Sequence, residues 1–116
     1  MATEYNFPTI SRGDVCEGLD ITLNWAANGT PVDLTDASIR SQFRAGNSKG
    51  QVGYEASVGA GIAILNATLG RFELQAFRTA FATSCDYVYD IEVTLADGFI
   101  VTPIYGTQPL RADVTR

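Results

Sequence analysis

Hydrophobic and polar residues alternate with a period of two along most of the chain. The clearest stretch is residues 19–25, in which every second residue is apolar: Leu19, Ile21, Leu23 and Trp25. A period of two is typical of a β-strand with one buried face. Residues 19–25 are therefore predicted to form a half-buried strand with Trp25 at its inner end.

Comparable segments follow, and residues that favour turns separate them. They are residues 37–45, 51–58, 62–66, 71–75, 87–95, 99–105 and 110–115. Asp97 and Gly98 stand between two of these segments, and this dipeptide is typical of a tight hairpin turn. Only residues 76–84 are a candidate for a helical turn, so we expect less than about a tenth of the chain to be helical.

These segments predict an all-β fold of seven to eight short antiparallel strands, arranged as an immunoglobulin-like β-sandwich. Tyr87 begins the sixth strand at the place of a tyrosine corner, which favours that topology. Another β-sandwich or a small barrel remains an alternative. The length of 116 residues fits a single domain spanning residues 1–116.

The aromatic residues divide into two groups by their position in the alternation. Six occupy apolar positions and are expected to pack in the core: Trp25, Phe43, Phe72, Tyr87, Tyr89 and Phe99. For four others the alternation gives a less clear inward position, and these are candidates for a contact surface: Tyr5, Phe7, Tyr54 and Tyr105.

Charge and composition exclude several functions. Eight basic and thirteen acidic residues give a net charge of −5, which argues against nucleic-acid binding. The chain has no histidine, so Ser–His and Cys–His catalysis and His-ligated metal sites are excluded. We expect no enzyme activity, no cofactor and no metal. A hydrolase with two carboxylates would need acidic residues that converge in a cleft, and their spacing gives no sign of this.

Targeting signals are not evident. The first residues lack the basic and apolar regions of a signal peptide. No apolar run approaches the ~20 residues of a membrane helix. Synthesis in a cytosol and no contact with a membrane are therefore expected.

Two groups of acidic residues invite a functional interpretation. Asp33 and Asp36, with Thr35 between them, could hold a cation or could activate water as two carboxylates. A turn stabilised by side-chain oxygens is the favoured interpretation. Asp86, Asp90 and Glu92 are expected on the solvent face of a strand, with a partner contact as the alternative.

The order of the turn and strand motifs resembles a known family. Arg12-Gly13-Asp14 opens the second strand, residues 31–37 open the third, and residues 87–92 with Asp97-Gly98 form the late hairpin. Residues 112–116 close the chain. This pattern resembles the small immunoglobulin-like tail proteins of tailed bacteriophages and the N-terminal domain of the phage baseplate upper protein family.

The resemblance implies a non-enzymatic structural component of a phage virion: a tail, baseplate, collar or fibre-attachment module. Such a protein is made in the host cytoplasm and joins other virion proteins in several symmetric copies. The alternative is a carbohydrate-binding or host-adhesion module. That alternative predicts an exposed aromatic pair on one cluster of loops, whereas the alternation places the aromatic residues inward.

Subunit contacts are predicted at both ends of the chain, because the first and last segments are candidate edge strands without lysine. The predicted interface residues are Tyr5, Phe7, Arg12, Leu110, Arg111, Val114 and Arg116.

The two cysteines are Cys16 and Cys85. An immunoglobulin-like topology would bring their strands to the same end, which leaves a disulfide open. Cys16, however, lies on the opposite side of its strand from Leu19 and Ile21, and a reducing cytosol disfavours disulfides. We therefore predict two free thiols.

Overall fold

The computed structural model describes residues 3–79 and 86–111. These residues contain β-strands and no helix, which confirms the predicted all-β class. The strands are β1 (Thr3–Glu4), β2 (Ile10–Ser11), β3 (Val15–Cys16), β4 (Leu19–Thr22), β5 (Ser38–Ala45), β6 (Val52–Val58), β7 (Gly61–Asn66), β8 (Arg71–Leu74), β9 (Phe77–Arg78), β10 (Asp86–Thr94) and β11 (Ile100–Arg111).

Most of the strands belong to one curled sheet of mixed direction. Its order is β1-β11-β10-β5-β6-β7-β8-β4, β2 also pairs with β11, and β3 pairs separately with β9. Three pairs are parallel: β1 with β11, β2 with β11, and β6 with β7. The described residues thus differ from the expected seven to eight antiparallel strands. The N-terminal segment, which contains β1 and β2, runs alongside β11. Pro8 has no N–H to donate, and it lies between these two short strands.

The centre of the core lies on β5 and β10. Tyr89 and Phe43 are cross-strand partners, and their rings stack with centroids 4.9 Å apart. Phe77 of β9 meets Phe43 edge to face at 5.1 Å. Along β10 the alternation predicted from the sequence is confirmed, because Tyr87, Tyr89, Ile91 and Val93 are all buried.

Two of the six aromatic residues expected in the core are outside it. Phe43, Phe72, Tyr87 and Tyr89 are buried as predicted. Trp25 is 36% exposed and Phe99 is 52% exposed, so the prediction for this pair is wrong. The reason is that β4 ends at Thr22 and β11 begins at Ile100. Both aromatic residues therefore lie beyond a strand end, where a period of two no longer determines which way a side chain points.

Cys16 is buried on the same core as Ile21, although the alternation places them on opposite faces. The cause is Gly18, which has a φ of 80° and divides the predicted strand into β3 and β4. A Cβ on Gly18 would clash with the backbone carbonyl oxygen of Leu74. The free thiol is confirmed for Cys16, and Cys85 lies outside the described residues.

The predicted helical turn over residues 76–84 is not observed in the part that the structure describes. Phe77 and Arg78 form β9 and pair with Cys16 and Val15 of β3. Phe77 is buried against the core, which explains why this short segment is extended. Residues 80–84 lie outside the described ranges.

Candidate functional site

Two adjacent turns present an exposed pair of aromatic side chains, Trp25 and Phe99, which we call the aromatic pair. Their ring centroids are 5.9 Å apart and their planes are inclined by 56°. Ile100, the next residue, is 57% exposed and extends the apolar surface. Exposed apolar residues that occur singly are ordinary, but adjacent large ones often mark a contact surface.

The turn that carries Phe99 is the Asp97-Gly98 hairpin predicted from the sequence. The Asp97 carboxylate accepts a 2.9 Å hydrogen bond from the Phe99 N–H, and Gly98 has a φ of 90°. The Leu95 N–H donates to the Phe99 carbonyl oxygen at 2.8 Å. These bonds fix the backbone of Phe99 and hold its side chain outside the core.

Trp25 sits at the start of a second closed turn. Its N–H donates to the Thr30 carbonyl oxygen at 2.8 Å, and its carbonyl oxygen accepts from the Gly29 N–H at 2.7 Å. The Asn28 side-chain oxygen accepts from the N–H of Thr30 at 3.1 Å and from its hydroxyl at 2.7 Å. The polar side chains of this turn are therefore engaged within the turn itself.

A second surface is a groove on the outer face of the sheet, which we call the outer groove. Its cavity volume is about 580 Å³. Strands β1, β5, β10 and β11 and the loop after β5 line it. The charged lining residues are Glu4, Arg40, Arg44, Asp90 and Glu92, and the aromatic lining residues are Tyr89 and Tyr105.

The strand register explains why these side chains share the outer groove. Asp90 of β10 lies opposite Gln42 of β5 on one side and opposite Tyr105 of β11 on the other. Tyr105 in turn lies opposite Glu4 of β1. One row of polar side chains thus crosses four neighbouring strands on the face away from the core.

Hydrogen bonds fix part of this row. Arg44 donates to the Gly50 carbonyl oxygen at 3.0 Å and to the Gln42 side-chain oxygen at 2.8 Å. The Gln42 amide donates to Glu55 at 2.8 Å. Partial burial raises the pKa of Asp90, and the nearby Glu92 raises it further, while Arg40 and Arg44 act in the opposite direction.

The sequence predicted that Asp90 and Glu92 would lie on one outward face, and Asp90 is exposed on that face. It did not predict that Arg40, Arg44 and Glu4 would join them in a groove. That arrangement depends on the order of the strands. The polar positions of residues 37–45 indicate that Arg40 and Arg44 face outward. The sequence alone does not reveal that this strand lies beside β10.

The Asp33 group forms the turn favoured by the sequence. The Asp33 carboxylate accepts from the Thr35 N–H at 2.9 Å and from the Thr35 hydroxyl at 2.7 Å. These two bonds lower the pKa of Asp33. Among the described residues, no group of three or more cysteine, aspartate or glutamate side chains could hold a metal ion.

The predicted interface residues fall into three groups. Tyr5 is 39% exposed, Arg111 is exposed and Arg12 is half-buried. Phe7 and Leu110 are buried in the core of the chain itself. Val114 and Arg116 lie outside the described residues.

The N-terminal strands β1 and β2 both pair with β11. The Tyr5 N–H donates to the Tyr105 carbonyl oxygen at 2.8 Å, and Ile10 lies opposite Leu110. Strand β11 is thus paired on both sides, with β10 and with the N-terminal segment. Of the predicted edge segment, residues 110–115, only Leu110 and Arg111 are described, and they pair with Ile10 and Ser11 of β2. That this segment is an edge strand stays a prediction. The terminal strands of the sheet order are β1 and β4.

No helix in the described ranges is long and apolar enough to span a membrane. Comparison of the chain with protein-family models, with curated proteins and with solved structures found no match.

Proposed function

We propose that the chain is a non-enzymatic structural module that binds other proteins through its aromatic pair. The observation that carries this proposal is the exposure of Trp25 and Phe99 on two neighbouring, hydrogen-bonded turns. Trp is enriched among the residues that dominate protein interfaces, where aromatic anchors fill pockets on the partner. The partner is therefore a protein with an apolar recess that receives these two rings.

The chemistry beside the aromatic pair supports a protein partner. Ala26 and Ala27 are exposed next to Trp25, and Ile100 follows Phe99. The side-chain oxygens of Asn28 and Asp97 accept backbone hydrogen bonds within their own turns. Exposed apolar side chains thus adjoin both rings, as is typical of the buried centre of an interface.

The biological setting in this proposal comes from the sequence resemblance. A phage tail, baseplate, collar or fibre-attachment module is present in several symmetric copies, and each copy contacts neighbouring virion proteins. A small all-β domain with a preformed apolar contact fits this role, and an immunoglobulin-like sandwich is the finer fold that the resemblance implies. In this setting the chain is made in the host cytoplasm and resides in the virion.

A carbohydrate-binding or adhesion module is the second candidate, because it predicts an exposed aromatic pair on one cluster of loops. Two observations make it the weaker interpretation of this surface. The ring planes are inclined by 56°, so they do not form one flat platform. In addition, a sugar requires polar groups beside the rings, and those of Asn28 and Asp97 are engaged in their turns.

Incorporation into particles tests the proposal. In the phage to which the proposal assigns the chain, a tagged copy is expressed during infection, and purified particles are analysed by quantitative mass spectrometry. The double variant Trp25→Ser/Phe99→Ser should be incorporated at least about tenfold less than the wild type, since hot-spot residues each contribute about 2 kcal/mol or more.

Val52→Thr is the matched control. Val52 is 37% exposed and lies opposite Arg44, toward the far end of β5 from the Asp97-Gly98 hairpin. It should be incorporated like the wild type. Equal incorporation of the double variant and the wild type would contradict the proposal.

A further inference from the structure

We infer that the outer groove is a second binding site and that its ligand is a neutral oligosaccharide. This inference is independent of the aromatic pair, because the groove lies on the outer face of β5, β10 and β11. Its cavity volume of about 580 Å³ is within the range of small-molecule sites. Such a volume holds a molecule with several polar groups, not a single ion.

The charges in the groove favour an uncharged ligand. Arg40 of β5 lies opposite Glu92 of β10. Arg44 and Asp90 line the same groove, and Glu4 closes it on the β1 side. The two cationic side chains lie on β5, and the three anionic side chains lie on β10 and β1, so both signs of charge line the groove. A ligand with a strong net charge that fills the groove would meet a like charge on one side of it, whereas a hydroxyl group both donates to carboxylates and accepts from guanidinium groups.

Part of the groove is already ordered for binding. Arg44 is held by Gly50 and Gln42, and Gln42 is held by Glu55. Side chains that are fixed before a ligand arrives lose little conformational entropy when it binds. Arg40 and Arg44 are close enough to Asp90 to act on its pKa. Arg40, Asp90 and Tyr105 line the groove, and none of their side chains is engaged in the hydrogen bonds that hold Arg44 and Gln42, so we assign the ligand contacts to these three groups.

Tyr105 supplies the apolar contact that a sugar ring requires. Its side chain is 45% exposed, and its strand position lies directly opposite Asp90. An aromatic ring beside a carboxylate can cover the C–H face of a sugar while the carboxylate accepts from its hydroxyls. The groove thus combines an aromatic ring, which packs against the C–H face of a neutral sugar, with a carboxylate, which accepts hydrogen bonds from its hydroxyl groups.

The experiment uses the full chain and an array of neutral and anionic oligosaccharides. The strongest neutral binder is then titrated into isotope-labelled protein, and amide chemical shifts are followed. We expect shifts at Gln42, Asp90 and Tyr105. By calorimetry, Arg40→Thr should weaken binding about tenfold, the loss typical of one hydrogen bond to a charged group. Tyr105→Thr should weaken binding by a similar factor, because the sugar ring loses its apolar contact with the aromatic side chain. Both residues lie on the surface of strands, and Thr is favoured in strands.

The control is Val58→Thr, at an exposed residue of β6 that does not line the groove, and it should bind the oligosaccharide like the wild type. The inference is overturned if no neutral oligosaccharide binds at millimolar concentration, if only anionic ones bind, or if the shifts occur outside the groove. Unchanged affinity in both Tyr105→Thr and Arg40→Thr also overturns it. The chemical-shift result on the wild type does not depend on how the variants fold.

Discussion

The hydroxyl of Tyr89 donates a 2.7 Å hydrogen bond to the backbone carbonyl oxygen of Tyr5. This bond joins the centre of the core to the N-terminal segment, which is the outermost part of the sheet beside β11. Phe7 packs against the same tyrosine with ring centroids 5.2 Å apart. The N-terminal segment is therefore an integral part of the fold.

Tyr89→Phe should lower the free energy of unfolding by about 1 kcal/mol, because it removes one hydrogen bond and leaves a carbonyl oxygen without its donor. Urea denaturation measures the change. The control Tyr105→Phe removes a hydroxyl from an exposed ring and should have little effect. Equal stability of Tyr89→Phe and the wild type would show that the bond contributes nothing.

Gly106→Ala should detach the N-terminal segment. A Cβ at this position would clash with the Tyr5 carbonyl oxygen, and overpacking of this kind costs about 1–3 kcal/mol. Hydrogen exchange of the Tyr5 and Phe7 amides, which donate to Tyr105 and Thr107, should become faster. In the control Gly98→Ala the Cβ meets nothing within 4 Å, and the strain comes only from the φ of 90° in its own turn. It should leave the Tyr5 and Phe7 amides protected. Unchanged protection in Gly106→Ala would contradict the close approach.

The sequence predicted the parts of the fold that local chemistry determines. The buried faces of β5 and β10 follow from alternation, and the turns at Asp33 and Asp97 follow from side chains that accept nearby N–H groups. The pairing of Tyr5 with Tyr105 was not predictable, because it joins the two ends of the chain. It depends on Gly106, whose missing side chain has no local signature.

The candidate sites were predictable only in part. The outward position of Asp90 could be inferred, since β10 alternates without interruption. The exposure of Trp25 and Phe99 could not, because the alternation does not show where a strand ends. The inward position of Cys16 depends on the positive φ of Gly18, which shifts the phase of the alternation between two short strands.

Cys16 should resist alkylation in the native protein. Burial raises the pKa of its thiol, so less of the reactive thiolate is present near pH 8, and reagents reach the sulfur poorly. In a Cys85→Ser background, mass spectrometry should find Cys16 modified by iodoacetamide in urea and unmodified without it. Rapid modification under native conditions would contradict the observed burial.

Asp90→Asn should raise the melting temperature at pH 7. The pKa of Asp90 is raised above its ordinary value of 3.8, so the folded state binds the proton more tightly than the unfolded state does. The resulting stability is present below pH 3.8 and is lost as the pH rises through the folded-state pKa. The variant's advantage should therefore vanish in acid. A melting-temperature difference that does not change with pH would contradict this account.

Photo-crosslinking tests the role of the aromatic pair most directly. The photoreactive amino acid p-benzoylphenylalanine is placed at Phe99 or, as the control, at Val52, and assembled particles are irradiated and analysed by mass spectrometry. The account predicts crosslinks from position 99 to one defined protein surface, and at most background crosslinking from position 52. Crosslinks from position 52 alone, or from neither position, would contradict the proposal that the aromatic pair binds a neighbouring protein.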